Sequence, residues 1–359
     1  MNPNPLLGVF FHWLGGLSSA SFYVPYKRIK LWSWEIFWLT GGIFSWVLAP
    51  WIGAFIGSKD LIHVLSTVPT NALMICYLCG AGWGLGGLTF GLTMRYLGLS
   101  LGMAVALGLT TVIGTLGPPL VQGTIADLAA KPGSQYTFIG IAVVVVGIII
   151  VAMAGNAKEK QLANVSGDAN VPDRGEFNLK KGILIALFSG VMSSFFSFGL
   201  AAGDPIRAAT AAAGTGPLWV GLPVLCVVLA GGFTTNFIWC LYLIAKNKSA
   251  GEWTGKTAVV SDVKTPLLAN YALAALGGTL WYFQFFFYTM GESQMGKFGF
   301  SSWTLHMASI ILFSTLWGFA LKEWKGTAKR TRFMVWLGIG TLVISTVIIG
   351  VGNMLAANS

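Results

Sequence analysis

Residues 72–94 read ALMICYLCGAGWGLGGLTFGLTM, and residues 216–245 read GPLWVGLPVLCVVLAGGFTTNFIWCLYLIA. Neither stretch contains a single Asp, Glu, Lys or Arg. Each is longer than the roughly 20 residues that an α-helix needs to cross the hydrocarbon core of a bilayer. Similar stretches recur along the chain, and the charged side chains fall almost entirely between them. The pattern predicts an all-α integral membrane protein.

The composition favours the same class. Apolar residues make up 55% of the chain and charged residues only 9%, a balance that suits helices facing lipid and not a soluble globule. The 47 glycines are typical of membrane helices that pack closely. The net charge of +10 resides mainly in short connections, where basic residues set orientation, so we expect a lipid bilayer and no nucleic acid as partner.

Hydropathy and charge together predict ten membrane-spanning helices. They lie near residues 6–26, 33–57, 72–95, 98–121, 136–154, 182–202, 216–245, 266–291, 299–321 and 333–354. A polar linker, residues 156–181, separates a first five-helix repeat (residues 1–155) from a second (residues 182–359). Because five is odd, the second half enters the bilayer in the opposite sense, as in inverted-repeat transporters.

The connections also predict the orientation. When the nine connections between the predicted spans are numbered in chain order, the odd-numbered connections carry 18 of the 22 Lys and Arg residues and the even-numbered ones carry 4. Cytoplasmic loops are enriched in these residues, so the odd connections and the linker are predicted to be cytoplasmic. With ten helices, both termini then face the periplasm. No basic region precedes the first apolar run, so we expect no cleaved signal peptide.

Three polar residues of different predicted helices share one depth. His12, Gln284 and His306 each lie six or seven residues from the outer end of a helix, which is about 10 Å below the outer surface. An ionisable side chain at that depth is a functional candidate, and these three could line one cavity. Aromatic faces that could pack against the C–H surface of a sugar lie nearby, at Trp281, Tyr282 and Trp303. The alternative is interhelical packing with hydrogen bonds.

A different set of residues concerns the cytoplasmic side. Glu35 lies at the cytoplasmic entry of the second span and Arg95 closes the third, so the two residues predict an inner gate. The alternative for Glu35 is an interfacial carboxylate balanced by Lys27 or Lys30. The central parts of the spans contain no Asp or Glu. Proton coupling is therefore expected to involve Glu35 and the histidines His12 and His306, a side-chain type whose unperturbed pKa lies near 6.5.

Five further acidic residues lie near the ends of the predicted spans or in the connections between them. They are Asp204, Glu252, Asp262, Glu292 and Glu323. We expect each of them to be a solvated loop charge.

No catalytic or metal-binding set is predicted. Cys76 and Cys79 have the spacing of a metal or redox pair, but no further Cys or His ligand accompanies them, so the four cysteines are interpreted as structural. A nucleophile with its base, or paired carboxylates at helical spacing, is also lacking. We therefore expect no enzyme, no metal and no cofactor.

Seven longer motifs are spread over nearly the whole chain. They are Phe22-Tyr23-x-Pro25-x-Lys27, Lys30-x-Trp32-Ser33-Trp34-Glu35, Trp83-Gly84-x-Gly86, Gly91-Leu92-Thr93-Met94-Arg95-Tyr96-Leu97-Gly98, Trp281-Tyr282-x-Gln284-Phe285-Phe286-Phe287-Tyr288, Ser302-Trp303-x-Leu305-His306-Met307 and Leu321-Lys322-Glu323-Trp324. Together they resemble the bacterial L-rhamnose–proton symporter family, within the drug/metabolite transporter superfamily.

The resemblance implies an inner-membrane importer of ten helices that takes up L-rhamnose with a proton by alternating access. The predicted substrate site then comprises His12, Tyr23, Trp83, Trp281, Gln284, Trp303 and His306. An alternative within the superfamily is proton-coupled export of a metabolite or drug, and a passive channel is a third class.

The chain departs from the family pattern at four positions. Gly87, Thr89, Phe90 and Ala201 stand where the family has asparagine or tyrosine. Because a site built around hydroxyl groups discriminates through such partners, these changes leave open which sugar is preferred. L-rhamnose is the first expectation, and another deoxyhexose or a pentose is the next.

Overall fold

The computed structural model describes residues 3–97, 99–166, 178–256 and 264–357, and the regular structure in these ranges is entirely helical. The α-helices are α1 (Pro5–Ser21), α2 (Tyr23–Tyr26), α3 (Trp34–Gly42), α4 (Ala49–Gly57), α5 (Leu61–Thr67), α6 (Thr70–Leu97), α7 (Leu99–Val121), α8 (Ile125–Ala129), α9 (Ser134–Ser166), α10 (Leu179–Ala202), α11 (Asp204–Ala212), α12 (Leu222–Asn247), α13 (Leu267–Gln294), α14 (Ser302–Ala320) and α15 (Lys329–Ala357). A π-helical segment, Ile43–Leu48, joins α3 to α4, and 3-10 turns occupy Ser249–Thr254 and Gly296–Ser301.

Seven stretches of the described helices are long and apolar enough to cross a membrane. They are Trp34–Gly57, Thr70–Phe90, Ser134–Lys158, Leu179–Ala212, Leu222–Asn247, Gly299–Ala320 and Lys329–Leu355. A shorter apolar stretch is Val105–Val121. The predicted all-helical class with multiple candidate membrane spans is thereby confirmed.

Two predicted spans are interrupted at prolines. Pro25 has no N–H, and the first span accordingly divides at Phe22 into α1 and α2. In the second span, the N–H of Ala49 bonds to the carbonyl of Phe44, five residues earlier, just before Pro50. A π-helical turn of this kind locally widens the helix, and such turns occur often at functional sites. Trp46 lies in this turn and is buried.

Helix α9 is longer than its predicted span. It continues through Ser166, beyond the expected end at residue 154, so the first part of the predicted polar linker is helical. Residues 167–177 of that linker lie outside the described ranges, and so does Asp262 in the connection before α13.

The bundle has two ends that differ in charge, and we name each after one residue. At the Lys27 end, the side-chain amide of Asn270 accepts from the Lys30 N–H at 3.2 Å and donates to the Lys30 carbonyl at 2.7 Å. Asn270 lies in the first turn of α13. At the Arg207 end, Gln294 in the last turn of α13 accepts from the Asn4 N–H at 3.2 Å. Helix α13 therefore runs the full length of the bundle, and α1 begins at the Arg207 end.

Helix packing brings α1 against α13 and α14, and α10 against α6 and α7. Helix α9 packs along α15, and α12 contacts α3 and α4. Glycine permits a close approach of α1 to two helices at Gly15, where a Cβ would lie 2.9 Å from the carbonyl oxygen of Gln284 and 3.3 Å from Cε1 of His306. The contact holds α1, α13 and α14 together at the depth of the predicted site.

Candidate functional site

A cavity of about 760 Å³, which we call the central cavity, lies among α1, α2, α3, α6, α7, α10, α12, α13 and α14. Its volume is within the range of about 300–1,000 Å³ that is usual for small-molecule sites. Six of the seven residues predicted for the substrate site line it, namely Tyr23, Trp83, Trp281, Gln284, Trp303 and His306. Lys27 and Glu323 also line it, so its mouth is at the Lys27 end.

The deep part of the central cavity contains buried polar groups that have no hydrogen-bond partner in the described part of the chain. Gln284 is 2% exposed, and its Nε2 makes no hydrogen bond with the described residues. The same holds for both ring nitrogens of His306 and for Nε1 of Trp281. A buried polar group left unpaired costs about 1–3 kcal/mol, so this arrangement favours a ligand that offers hydroxyl or other hydrogen-bonding groups.

Aromatic rings form the apolar wall of the central cavity. The Trp83 ring lies 5.0 Å from Phe196 and 5.5 Å from Phe285, measured between ring centroids. Trp303 is fixed by a hydrogen bond from its Nε1 to the Thr110 carbonyl at 2.9 Å. Rigid ring faces beside polar groups suit a ligand with both C–H and hydroxyl surfaces, such as a sugar.

The polar wall also includes residues that sequence reasoning did not single out. Trp38 Nε1 donates to Asn236 Oδ1 at 3.0 Å, and both side chains line the central cavity. Asn236 also donates to the Gly232 carbonyl at 2.9 Å within α12. The sequence did contain a signal, because Asn236 lies inside an uncharged span. An asparagine side chain exposed to lipid is unfavourable, so it is expected to face the protein interior.

Tyr23 and His12 occupy different positions from the other predicted site residues. Tyr23 is 44% exposed and lies beside the Phe22 ring, with centroids 4.5 Å apart, on the side of the mouth. His12 is fully buried and lies behind the cavity wall. Its ring centroid is 6.4 Å from His306 and 5.3 Å from Tyr288, and neither of its nitrogens has a partner among the described residues.

Glu35 lies apart from the central cavity. It is 4% exposed, and its Oε1 accepts hydrogen bonds from Asn247 Nδ2 and Ser249 Oγ, both at 2.9 Å. The carboxylate thus ties the start of α3 to the end of α12 through neutral groups. Lys27, one of its expected partners, pairs instead with Glu323 at 3.0 Å. The side chain of Arg95 lies outside the described part of the chain.

A second cavity, of about 450 Å³, lies at the Arg207 end. Arg207 lines it and forms an ion pair with Glu292, Nη2 to Oε2 at 2.6 Å. Its Nη1 donates to Asp204 Oδ1 at 2.9 Å and to the Leu200 carbonyl at 2.7 Å. The side chain of Glu292 is only 23% exposed, whereas that of Asp204 is 71% exposed.

The expectation that Glu292 is a solvated loop charge was therefore wrong. Glu292 belongs to the last turn of α13, which extends beyond its predicted end at residue 291 and faces Arg207 of α11. Glu252 was also expected to be solvated, but it is buried and accepts the Ser33 N–H. The sequence shows only that Glu292 and Arg207 lie at the same predicted end of the bundle. Whether they form an ion pair depends on how α11 and α13 pack against each other.

A wall of packed rings separates the two cavities. Tyr288 lines the second cavity and Trp303 lines the central one, with ring centroids 6.0 Å apart. Behind them, the Thr115 and Thr304 hydroxyls are hydrogen-bonded at 2.7 Å, which joins α7 to α14. The central cavity is thus closed toward the Arg207 end and open toward the Lys27 end.

Three of the four positions that depart from the family pattern line these cavities. Gly87 and Phe90 line the central cavity and Ala201 lines the second one. A Cβ on Gly87 would meet no atom of the described residues within 4 Å, so a longer side chain has room there.

Comparison with known proteins gives a consistent result over the whole chain. The model of the family described as L-rhamnose-proton symport protein (RhaT) matches residues 1–356. A protein of Mannheimia succiniciproducens named L-rhamnose-proton symporter is 39% identical over 354 residues, which are 98% of this chain and 99% of that protein. Proteins with the same name are 38% identical in Citrobacter koseri, over 96% of this chain and 97% of that protein, and 37% identical in Klebsiella pneumoniae, over 98% and 99%.

Proposed function

We propose that this chain, which belongs to the L-rhamnose-proton symport protein (RhaT) family, carries L-rhamnose together with a proton into the bacterial cell across the inner membrane by alternating access. The family is one of transporters and not of enzymes. The preference for L-rhamnose follows from the names of relatives that match nearly end to end at 37–39% identity.

The observation that carries this proposal is the central cavity itself. It combines unpaired buried polar groups with rigid aromatic faces, and it is open at one end and closed at the other. Gln284 and His306 are positioned to bond sugar hydroxyls, while Trp281 and Trp303 face the C–H surface and the methyl group of a deoxy sugar. A site accessible from one side at a time is the requirement for coupled transport.

We further propose ten membrane spans in two inverted repeats. Helices α1, α7 and α13, which pack among the seven apolar stretches, are proposed as the other three spans. If each helix of one half is replaced by its counterpart in the other half, the packing of α1 on α13 and α14 becomes the packing of α10 on α6 and α7. The same exchange leaves the contact between α9 and α15 unchanged. This exchange symmetry supports repeats with boundaries near residues 1–155 and 182–359.

The Lys27 end is proposed to face the cytoplasm and the Arg207 end the periplasm. The odd connections, which carry 18 of the 22 Lys and Arg residues, include the loop of Lys27, and the N-terminal residue Asn4 lies at the opposite end. In this orientation the structure corresponds to an inward-open state. Both termini are then periplasmic.

For proton movement, we propose that His306, which lines the central cavity, and His12 behind it are carriers within the bundle. Glu35 would act on the gate at the Lys27 end through its hydrogen bonds to Asn247 and Ser249, which link α3 to the end of α12. The gating role proposed for Arg95 rests on the sequence alone.

Purified protein in proteoliposomes tests this function. With an imposed pH gradient, acid outside, we expect labelled L-rhamnose to accumulate about tenfold per pH unit for one proton, since one unit of proton gradient is worth about 1.4 kcal/mol. An uncoupler should abolish the accumulation but leave exchange of internal for external sugar. Equal uptake with and without the gradient would contradict symport, and drug or metabolite release would support the export alternative.

A further inference from the structure

The ion pair of Arg207 and Glu292 is the one link in the described bundle that joins α11 to α13 through full charges, and it lies between two features of the transport path. On one side it lines the second cavity, which is open at the proposed periplasmic face. On the other side it is close to the histidines. Tyr288, one helical turn before Glu292 on the same face of α13, has its ring centroid 5.3 Å from those of both His12 and His306.

The histidines continue this arrangement into the central cavity. A Cβ on Gly291, the residue before Glu292, would lie 2.8 Å from Nε2 of His12. His12 in turn neighbours His306, which lines the central cavity, and the ring nitrogens of both have no partner among the described residues. Titratable side chains therefore follow one another from the second cavity to the sugar site.

The partners of Arg207 are distributed unequally between two elements. The hydrogen bonds of its Nη1 go to Asp204 and to the Leu200 carbonyl, both on the α10–α11 hairpin that carries Arg207 itself. Only the Nη2 contact with Glu292 reaches across to α13. When that contact breaks, Arg207 keeps its local partners. Glu292, by contrast, has no second cation among the described residues.

We propose that Glu292 is a proton-binding site of the transport cycle and that its ion pair with Arg207 is the periplasmic gate that the proton opens. This inference rests on the proposed symport function and deepens it. Opening the gate without a proton would leave a lone carboxylate in a partly closed cavity, which is strongly unfavourable. A proton on Glu292 removes that penalty, so the Arg207 end opens only in the protonated protein.

The cycle is balanced with one proton. It binds to Glu292 from the periplasm, α13 parts from α11, and sugar enters the central cavity. When the gate closes, Arg207 returns to the Glu292 carboxylate and displaces its proton. The proton passes to His12 and His306, and His306 releases it to water in the central cavity. Among the described residues, the charged and titratable side chains that face Glu292 are Arg207, Asp204 and Tyr288, and of these Asp204 is largely exposed.

The test compares Glu292→Gln, Glu292→Asp and Asp127→Asn with wild type in the proteoliposome assay. Asp127 is an exposed carboxylate of α8 at the same end of the bundle that lines neither cavity, so it serves as the control. We expect Glu292→Gln to exchange sugar but to lose the tenfold accumulation per pH unit. Glu292→Asp should keep part of it, and Asp127→Asn all of it.

The outcomes separate this inference from the proposed function. If the wild-type protein accumulates no L-rhamnose, the proposed function fails. If wild type accumulates sugar and Glu292→Gln accumulates it equally, only the role of Glu292 is overturned.

Should Glu292→Gln not fold, carbodiimide modification of the wild-type protein replaces it, because this reagent reacts with protonated carboxyls. Faster modification of Glu292 at pH 6 than at pH 8, with parallel loss of accumulation, supports the proposal. A Glu292 that stays unmodified while transport proceeds overturns it.

Discussion

Gln284 is the residue whose substitution reports most directly on sugar contacts. Its Nε2 is buried at the wall of the central cavity with no partner among the residues that the structure describes, so Gln284→Ala removes a donor that a sugar hydroxyl would use. We expect the affinity for L-rhamnose to fall about 5- to 150-fold, equivalent to about 1–3 kcal/mol, with little change in Tm. Titration of sugar against purified protein measures this. Asn71→Ala, at an exposed amide, is the control, and unchanged affinity in Gln284→Ala would remove this residue from the site.

Gly15 tests the helix contact that holds the site together. The Cβ of Gly15→Ala would come within 2.9 Å of the Gln284 carbonyl, so α1 and α13 must separate or His306 must shift. Overpacking of this kind costs about 1–3 kcal/mol, and we expect a lower Tm together with weaker sugar binding. Gly108→Ala in α7 is the control, because a Cβ there meets no atom of the described chain within 4 Å. If both variants match wild type, the contact at Gly15 is not as close as described.

Six of the seven residues predicted for the substrate site line the central cavity, but their hydrogen-bond and packing partners were not predictable from the sequence. A polar side chain in an uncharged span indicates by itself that it avoids lipid, and His306 and Gln284 were found in this way. The position of His12 behind the cavity wall depends on how far α1 is rotated about its own axis. The spacing of polar residues along the sequence does not define that rotation closely enough. Glu292 shows the same limit, since its ion pair requires that α11 and α13 meet.

At the scale of helices, the Lys27 end is held by a cluster of charges. Lys27 of the α2–α3 connection and Lys158 of α9 both pair with Glu323, at 3.0 and 3.4 Å. Partial burial raises the pKa of Glu323, but the hydrogen bond from Lys27 and the charge of Lys158 outweigh it and hold the pKa below its ordinary value of 4.5. A carboxyl with a lowered folded-state pKa stabilises the protein above its unfolded-state pKa and ceases to do so as the pH falls through the folded-state value.

We therefore expect Glu323→Gln to lower Tm slightly near neutral pH, and the difference from wild type to vanish as the pH falls below about 4.5. The effect should be small, because the pair is partly exposed, and high salt should reduce it further. Thermal unfolding of both proteins across pH measures it. A difference that grows in acid would show that the carboxylate is not stabilised by these lysines.

Some element boundaries have local causes in capping and proline chemistry, although the predicted spans 6–26 and 33–57 were continuous and the breaks within them were not predicted. Asn4 begins α1 by accepting the Leu7 N–H, and the breaks next to Pro25 and Pro50 have the same local origin. The extension of α9 through Ser166 was not predicted, because polar residues in a helix that leaves the membrane resemble those of a loop.

For the whole molecule, the orientation in the membrane is the first prediction to check. Both termini are expected on the periplasmic side because the Lys- and Arg-rich connections lie at the other end. Alkaline phosphatase fused to the C-terminus should be active, and a fluorescent protein fused there should be dark. The reverse pattern would show that the number of spans or the orientation is wrong.

Transport as proposed requires that L-rhamnose occupy the central cavity while that cavity is open at the cytoplasmic Lys27 end. Gly87 lines this cavity with free space at its Cβ, so Gly87→Cys can report on it in a background whose four native cysteines are replaced by alanine. The direct measurement is the rate at which a membrane-impermeant thiol reagent labels this cysteine in inside-out vesicles, with and without sugar. We expect labelling that L-rhamnose slows and that a non-transported sugar leaves unchanged. Labelling at the same rate with saturating L-rhamnose, in a variant that still transports it, would show that the sugar binds elsewhere.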